Sequence, residues 1–405
     1  MRRVFALAFL AAFCVMCTSA PQLPDSLKGT WSGEIDGLGL SLQMHLGDTC
    51  TVDSPDQEAY GFKAVVKKAD GESVSVKFPE FHASFEGKLQ GDSLIGRFSQ
   101  MGLKKQLRMG RGEIVRLRPQ TPEEPFPYNT EEVTFADGDV SLAGTLCLPE
   151  ASDAPVVVMV SGSGKQDRDE SLMGHKPFAV LADALARAGI PSLRYDDREC
   201  GGSTGVFADA TTADFALDAA SAVQFLRSRG YSKVGILGHS EGGTIALMLA
   251  GAEEPSEGSP DFIISLAGMA DRGDSTLLRQ MTKMIILNGA PEKAAEFAAK
   301  ITYKKTVKAG GKWMESFIAL DPAPYISRIK CPVLALNGEK DSQVIPEYNL
   351  SKIEALCPGA DCRLYPDLNH LFQHCKTGLG TEYAKIEETM SEEVIADIIE
   401  WIKKL

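Results

Sequence analysis

Val234-Gly235-Ile236-Leu237-Gly238-His239-Ser240-Glu241-Gly242-Gly243, running on into Thr244-Ile245-Ala246-Leu247-Met248-Leu249, decides the fold of this chain. The first four residues read as a continuous apolar strand, and the run from Thr244 as the start of an apolar helix. Between them stands a Gly-x-Ser-x-Gly turn. A turn this sharp strains the serine backbone, so the flanking positions must lack bulk. It also sets the hydroxyl beside a helix N-terminus, where negative charge is favoured. The same pentapeptide occurs at Gly201-Gly202-Ser203-Thr204-Gly205. That copy follows the charged run Asp196-Asp197-Arg198-Glu199 and leads into a polar loop, so Ser203 reads as a loop or cap residue. Ser240 is the candidate nucleophile.

A serine hydroxyl needs a base to take its proton and a third group to orient that base. The expected chain order is serine, acid, histidine. Six histidines are available. His370, in Leu368-Asn369-His370-Leu371-Phe372 past the last predicted strand, is the candidate base, and His374 is its rival. His239 reads as a packing residue, His175 as a loop residue able to line the mouth of the site, and His45 and His82 fall in an earlier region. The acid should leave the strand Val333-Leu334-Ala335-Leu336. Asn337-Gly338-Glu339-Lys340-Asp341 does so, with Asp341 the candidate and Glu339 its rival. Two backbone N–H groups should face the developing oxyanion. One belongs to Glu241. The other comes from Ser161-Gly162-Ser163-Gly164-Lys165, with Ser163 the first choice and Gly164 the alternative. This loop lacks the spacing of a phosphate-binding or dinucleotide-binding turn.

Working outward, strands and helices alternate. Strands are predicted at Val156 to Val160, Ile190 to Tyr195, Val234 to Leu237, Phe262 to Leu266, Val333 to Leu336 and Arg363 to Tyr365. Helices are predicted at Phe178 to Ala188, Thr211 to Leu226 (Thr211 and Asp214 forming a capping box) and Val394 to Ile402. Glu132 to Leu148 reads as a hairpin. Continuous apolar strands alternating with helices define an α/β class: a mostly parallel, doubly wound sheet covered on both faces. About 271–328 there is no strand signal; Leu277 to Leu287 and Glu292 to Ala299 have helical spacing. An insertion there reads as a helical lid over the carboxyl edge of the sheet. Residues 25–118 instead show short alternating stretches broken by turns such as Asp70-Gly71 and Gly91-Asp92, the pattern of a small all-β domain. Residues 119–129, rich in proline, form a stiff linker, and 130–405 hold the α/β domain.

The 405 residues carry 44% hydrophobic and 24% charged side chains, enough to bury a large core. The net charge of −13 comes with no strong basic run, which argues against nucleic acid and anionic membrane surfaces as partners. Residues 1–19 read as an export signal: Arg2 and Arg3, the apolar run Val4 to Met16, then small residues. Export to the periplasm or beyond is expected, in preference to lipid anchoring at Cys14 or Cys17. No later stretch is long and apolar enough for a membrane span. Seven of the nine cysteines lie outside the signal. The odd number leaves at least one thiol unpaired within the chain. Cys357 and Cys362 flank a Pro-Gly turn, and pairing or two separate thiols are equally open. No cysteine spacing suits a zinc site.

Residues from about 130 to 405 resemble the α/β-hydrolase superfamily, nearest its bacterial serine-aminopeptidase-like esterase branch. The likeness rests on Ser161-Gly162-Ser163-Gly164 with Gln166-Asp167-Arg168-Asp169, Arg194-Tyr195-Asp196-Asp197-Arg198, Gly238 to Gly243, Asn337-Gly338 with Asp341, and Asn369-His370. One departure stands out: Glu199 follows Arg198 where that family usually has glycine. Asp196, Asp197 and Arg198 read as a structural ion network. The resemblance implies a carboxylesterase acting on small-molecule, short-acyl esters without metal or cofactor, and says nothing of oligomeric state. Two other readings stand beside it. An aminopeptidase or amidase using the same triad would need an acidic group in the lid to hold an ammonium; Glu292, Glu296 and Glu315 are available there. A non-catalytic binding module on a hydrolase fold would fail to react with a fluorophosphonate probe.

Overall fold

The computed structural model describes residues 22–405, so the export-signal reading lies outside the described residues. The chain divides into two compact units between Val115 and Arg116.

The first unit is one antiparallel sheet. Its strands are β1 (Gly29–Ile35), β2 (Leu40–Leu46), β3 (Thr51–Ser54), β4 (Ala59–Lys63), β5 (Val65–Asp70), β6 (Ser73–Phe78), β7 (Ala83–Gln90), β8 (Ser93–Gln100) and β9 (Leu103–Arg111). The order is β4-β3-β2-β1-β9-β8-β7-β6-β5. The two edge strands are consecutive in sequence, parted only by Ala64, so the sheet curls almost into a barrel. Alternation sends Trp31, Met44, Val76, Phe85, Leu94 and Leu107 inward, all fully buried. The Trp31 indole N–H donates to the Leu27 carbonyl at 2.8 Å, which satisfies its one polar atom. Gly33 allows the curl locally: a Cβ there would lie 2.0 Å from the Arg108 carbonyl oxygen.

The second unit begins with the hairpin β10 (Asn129–Asp137) and β11 (Val140–Leu148). Next come β12 (Val156–Val160), α1 (Pro177–Arg187), β13 (Ser192–Tyr195), α2 (Thr212–Ser228), β14 (Val234–His239), α3 (Glu241–Ala250) and β15 (Phe262–Leu266). Four consecutive helices follow: α4 (Gly273–Leu287), α5 (Glu292–Ala309), α6 (Gly311–Ala319) and α7 (Ala323–Ile326). The unit closes with β16 (Val333–Gly338), α8 (Leu350–Leu356), β17 (Asp361–Tyr365) and α9 (Glu392–Ile402). The strand order is β10-β11-β13-β12-β14-β15-β16-β17. Every pairing from β13 to β17 is parallel, while β10 and β11 are antiparallel.

The strand period of two builds two cores. Val157 and Met159 join Phe178, Leu181, Val394 and Ile398 on one face. Val156, Val158 and Val160 join Ala219, Val223, Ile245 and Ala246 on the other. Full burial of each such aliphatic or aromatic side chain contributes about 1.5–3 kcal/mol. The Thr211–Asp214 capping box forms as the sequence predicts; the Asp214 carboxylate accepts the Thr211 N–H at 2.8 Å. The predicted break after β15 is helical, but α5 runs ten residues past its expected end, to Ala309, with only Ala295 and Ala299 buried. Its polar last turns carried too little apolar periodicity to be read as helix. Among the described residues no helix is long and apolar enough to cross a membrane, and all seven cysteines are free thiols, so Cys357 and Cys362 stay separate.

Candidate active site

Four strand ends build the site: β12 leads into the Gly162 loop, β14 into Ser240, β16 into Asp341, and β17 into the loop that carries His370. Ser240 has φ 53° and ψ −116°, a left-handed conformation that a non-glycine residue adopts only under local constraint. The flanking glycines supply it. A Cβ on Gly238 would lie 2.0 Å from the Gly242 carbonyl oxygen, and one on Gly242 would lie 2.0 Å from that of Val160. The Ser240 N–H donates to the Leu266 carbonyl at 2.8 Å, tying the turn to β15. Glu241 opens α3, so its N–H has no partner within the helix by position.

His370 Nδ1 lies 2.7 Å from Asp341 Oδ2, and both side chains are buried. Asp341 has no freedom to turn. Its Oδ1 accepts the N–H groups of Gln343 at 2.8 Å and Val344 at 2.9 Å, and its Oδ2 also accepts Asn337 Nδ2 at 3.0 Å. With Nδ1–H donating to the carboxylate, Nε2 is the ring atom left to accept a proton. The Asn369 side chain accepts the N–H groups of Leu371 and Gln373 and so shapes the His370 turn. Ser240 and His370 line one cavity of about 500 Å³. The rivals are elsewhere. His374 is 61% exposed and pairs with Glu388, and Glu339 faces solvent. His175, expected near the mouth, is buried against Thr389 and the Tyr383 carbonyl and is absent from the cavity wall.

The Gly162 loop comes so close to the nucleophile that a Cβ on Gly162 would sit 3.1 Å from that of Ser240. The Gly162 N–H is already donated to Glu170 Oε1 at 2.7 Å, which leaves the next amides of the loop to face a substrate oxygen. Ser163 lines the cavity, whereas Gly164 lines a small pocket beneath the loop. Beyond the nucleophile the wall is mainly apolar, with Leu172, Met173, Met269, Leu277, Met314 and Phe317, and it contains no lysine or arginine. Trp313 of α6 donates its indole N–H to Glu241 Oε1 at 3.0 Å, and Thr212 donates its hydroxyl to the same atom at 2.6 Å. Neither Trp313 nor Glu170 carries a sequence signal, because each acts across a long chain separation.

The second Gly-x-Ser-x-Gly copy is structural. Ser203 donates its hydroxyl to the Asp196 carbonyl at 2.8 Å and accepts the Ala143 N–H at 2.9 Å. Glu199 sits at φ 59°, a left-handed conformation that favours glycine. Asp196 pairs with Arg168, and Arg198 with Asp218 and Asp137, so the run is an ion network away from the cavity wall. Asp197 differs. Its two oxygens accept the Ser161 hydroxyl at 3.1 Å and the Gln166 N–H at 2.8 Å, spanning the loop that carries Ser163. Burial pushes its carboxyl from 3.8 up to about 7, against the pull of those hydrogen bonds. A raised folded-state value means that the stability this group contributes is complete below pH about 4 and is lost as pH rises to about 7. Asp197→Asn preserves the shape without the charge. Its melting temperature should exceed the parent's at pH 8, and the gap should close by pH 4. Thermal unfolding across that range checks this, and a gap that widens on acidification contradicts it.

Part of the chain is similar to known proteins. A family model described as serine aminopeptidase, S33, matches residues 175–316, which include Ser240 but stop short of Asp341 and His370. Esterase EstD of Thermotoga maritima is 26% identical over 299 residues, covering 70% of this chain and 71% of the relative. The human serine hydrolase BPHL is 26% identical over 218 residues, covering 52% and 69%. A Pyrococcus furiosus esterase structure aligns over 72% of this chain and 99% of its own, with TM-score 0.48 and 17% identity. Through these matches the chain is similar to the α/β-hydrolase superfamily, on its esterase branch. It is an enzyme, a serine hydrolase.

Proposed function

We propose that this chain hydrolyses short-acyl carboxylic esters of small molecules through an acyl-serine intermediate. The observation that carries the reading is the buried His370–Asp341 pair sharing a cavity with a strained Ser240. His370 Nε2 takes the Ser240 proton as Oγ attacks the ester carbonyl carbon. The tetrahedral oxyanion accepts from the N–H groups of Glu241 and Ser163, with Gly164 as the alternative to Ser163. The intermediate then collapses, and His370 returns the proton to the departing alkoxide. Water, deprotonated by His370, attacks the acyl-enzyme and frees the acid. α4 and α6, which supply Leu277, Met314 and Phe317, act as the lid and hold the acyl chain.

One observation favours a second reading, cleavage of aminoacyl amides. Glu292 and Glu296 line a different groove and cannot hold an ammonium at this site. Glu170 and Glu241, however, line the catalytic cavity, and each has one buried carboxylate oxygen without a hydrogen-bond partner. Stopped-flow turnover of p-nitrophenyl esters of rising acyl length, beside aminoacyl p-nitroanilides, tests both. A burst of nitrophenol matching the enzyme concentration, strongest for short acyl groups, is expected. Faster turnover of the anilides would transfer the assignment to the amidase reading, and no turnover of either class would sink both.

A further inference from the structure

His239, the residue before the nucleophile, lines the cavity and spends both ring nitrogens on protein groups. Its ring is buried, with Nδ1 2.9 Å from Glu170 Oε1 and Nε2 2.9 Å from the carbonyl oxygen of His370. Both partners are acceptors, so the two ring nitrogens are satisfied together only when both carry hydrogen. Burial works against a charge on this ring, but the Glu170 carboxylate and the His370 carbonyl hold its pKa above the ordinary value. Glu170 Oε1 meanwhile accepts the Gly162 N–H at 2.7 Å, from the loop whose next amides face the cavity. Glu170 itself stands at φ 52°, a conformation imposed on a non-glycine residue. The His239 and His370 rings lie 4.7 Å apart, so the pair also sits directly against the base.

We propose that Glu170 and His239 are positioning residues that lock three separate parts of the site together: the Gly162 loop, the nucleophile turn and the His370 backbone. The proposal rests on the acyl-serine reading above. The logic is geometric. The oxyanion amides hang from the loop after β12, the nucleophile from β14 and the base from the loop after β17, and among the described residues no backbone hydrogen bond joins the first loop to the third. The chain Gly162 N–H to Glu170, His239 to Glu170, and His239 to the His370 carbonyl is a polar path that joins all three through the nucleophile turn, whereas His175, bonded to Gln373 and the Tyr383 carbonyl, links only the first loop and the third. A bond to the carbonyl of His370 leaves its ring free for Asp341 and Ser240, so the path sets where the ring hangs without competing for it. Displacement of a catalytic group by about 1 Å costs on the order of 100-fold in rate.

The test uses the full chain and p-nitrophenyl butyrate, with kcat and KM normalised to sites titrated by a fluorophosphonate. Glu170→Ala and His239→Ala are each expected to lower kcat by about 10- to 100-fold, with KM changing by less than about threefold. The double variant should fall little below the worse single, because the two residues act as one unit. Glu170→Gln, which keeps an oxygen for the Gly162 N–H, should retain more kcat than Glu170→Ala. Singles with parental kcat, or losses that multiply in the double, would overturn the proposal. If circular dichroism shows the alanine variants unfolded, His239→Phe, which keeps a ring and removes both N–H groups, decides alone: a fall in kcat at unchanged KM supports the proposal, and parental kcat refutes it. Ser240→Ala keeps the two failures apart. Turnover surviving in it removes the acyl-serine reading; its loss beside parental rates in the Glu170 and His239 variants removes only the positioning role.

Discussion

Ser240→Ala should lower ester kcat by about 10⁶-fold, the scale seen when the nucleophile of a serine triad is removed, and should abolish fluorophosphonate labelling. The fold should survive. The left-handed backbone at this position is imposed by neighbours: Gly238 and Gly242, whose Cβ positions are filled by backbone, and the hydrogen bond from the Ser240 N–H to the Leu266 carbonyl. Alanine meets the same φ at a similar strain, so the parent and the variant should unfold at closely matching temperatures. Calorimetry and a p-nitrophenyl butyrate assay on one preparation provide the check. Turnover within tenfold of the parent would mean that another group carries the chemistry. Ser203 is not that group, since its hydroxyl is committed to Asp196 and Ala143.

Asp341→Asn should cost about 10⁴-fold in kcat, the loss typical of a triad carboxylate turned to amide, while leaving KM nearly unchanged and lowering the melting temperature by only a few degrees. The reason lies in the surroundings of the carboxylate. Oδ1 faces two backbone N–H groups, so the amide oxygen must take that position. The new NH₂ then points at His370 Nδ1 and at the Asn337 amide, both of which were donors to Oδ2. The imidazole answers by moving its proton to Nε2, where it can no longer accept one from Ser240. Because both ring tautomers keep a hydrogen bond to residue 341, the main loss falls on chemistry; the Asn337 amide, left facing another donor, accounts for the small loss of stability. A loss of only a few-fold would show that Asp341 does not orient the base.

The local features of the fold were legible because their causes are local. Val156 to Val160 and Phe262 to Leu266 are continuous apolar runs and form strands over those same residues. The Thr211–Asp214 cap needs only residues three apart. The nucleophile turn announces itself through glycines within two residues of Ser240. Strand β14 extends through His239, two residues past its apolar run, because pairing with β12 and β15 continues there and pairing partners are invisible from one strand alone. His239 was misread for the same reason. Turn geometry directs its side chain away from that of Ser240, which suggests packing, but nothing near it in the chain reveals a carboxylate 69 residues earlier.

The sequence by itself determined the α/β class, the front antiparallel region, the preference for Ser240 over Ser203, and Asp341 and His370 as candidates in the expected chain order. These follow from hydrophobic period, glycine placement and the order of the motifs, all properties of short windows of chain. Only the tertiary structure decided that Asp341 and His370 meet within hydrogen-bond distance, that Trp313 and Phe317 of the inserted helices reach the cavity of Ser240, and that Glu170 and His239 bridge two loops. Each depends on where β12, β14, β16 and β17 end relative to one another. That register is set by sheet pairing and by two cores on opposite faces, interactions that bring together residues far apart in the chain.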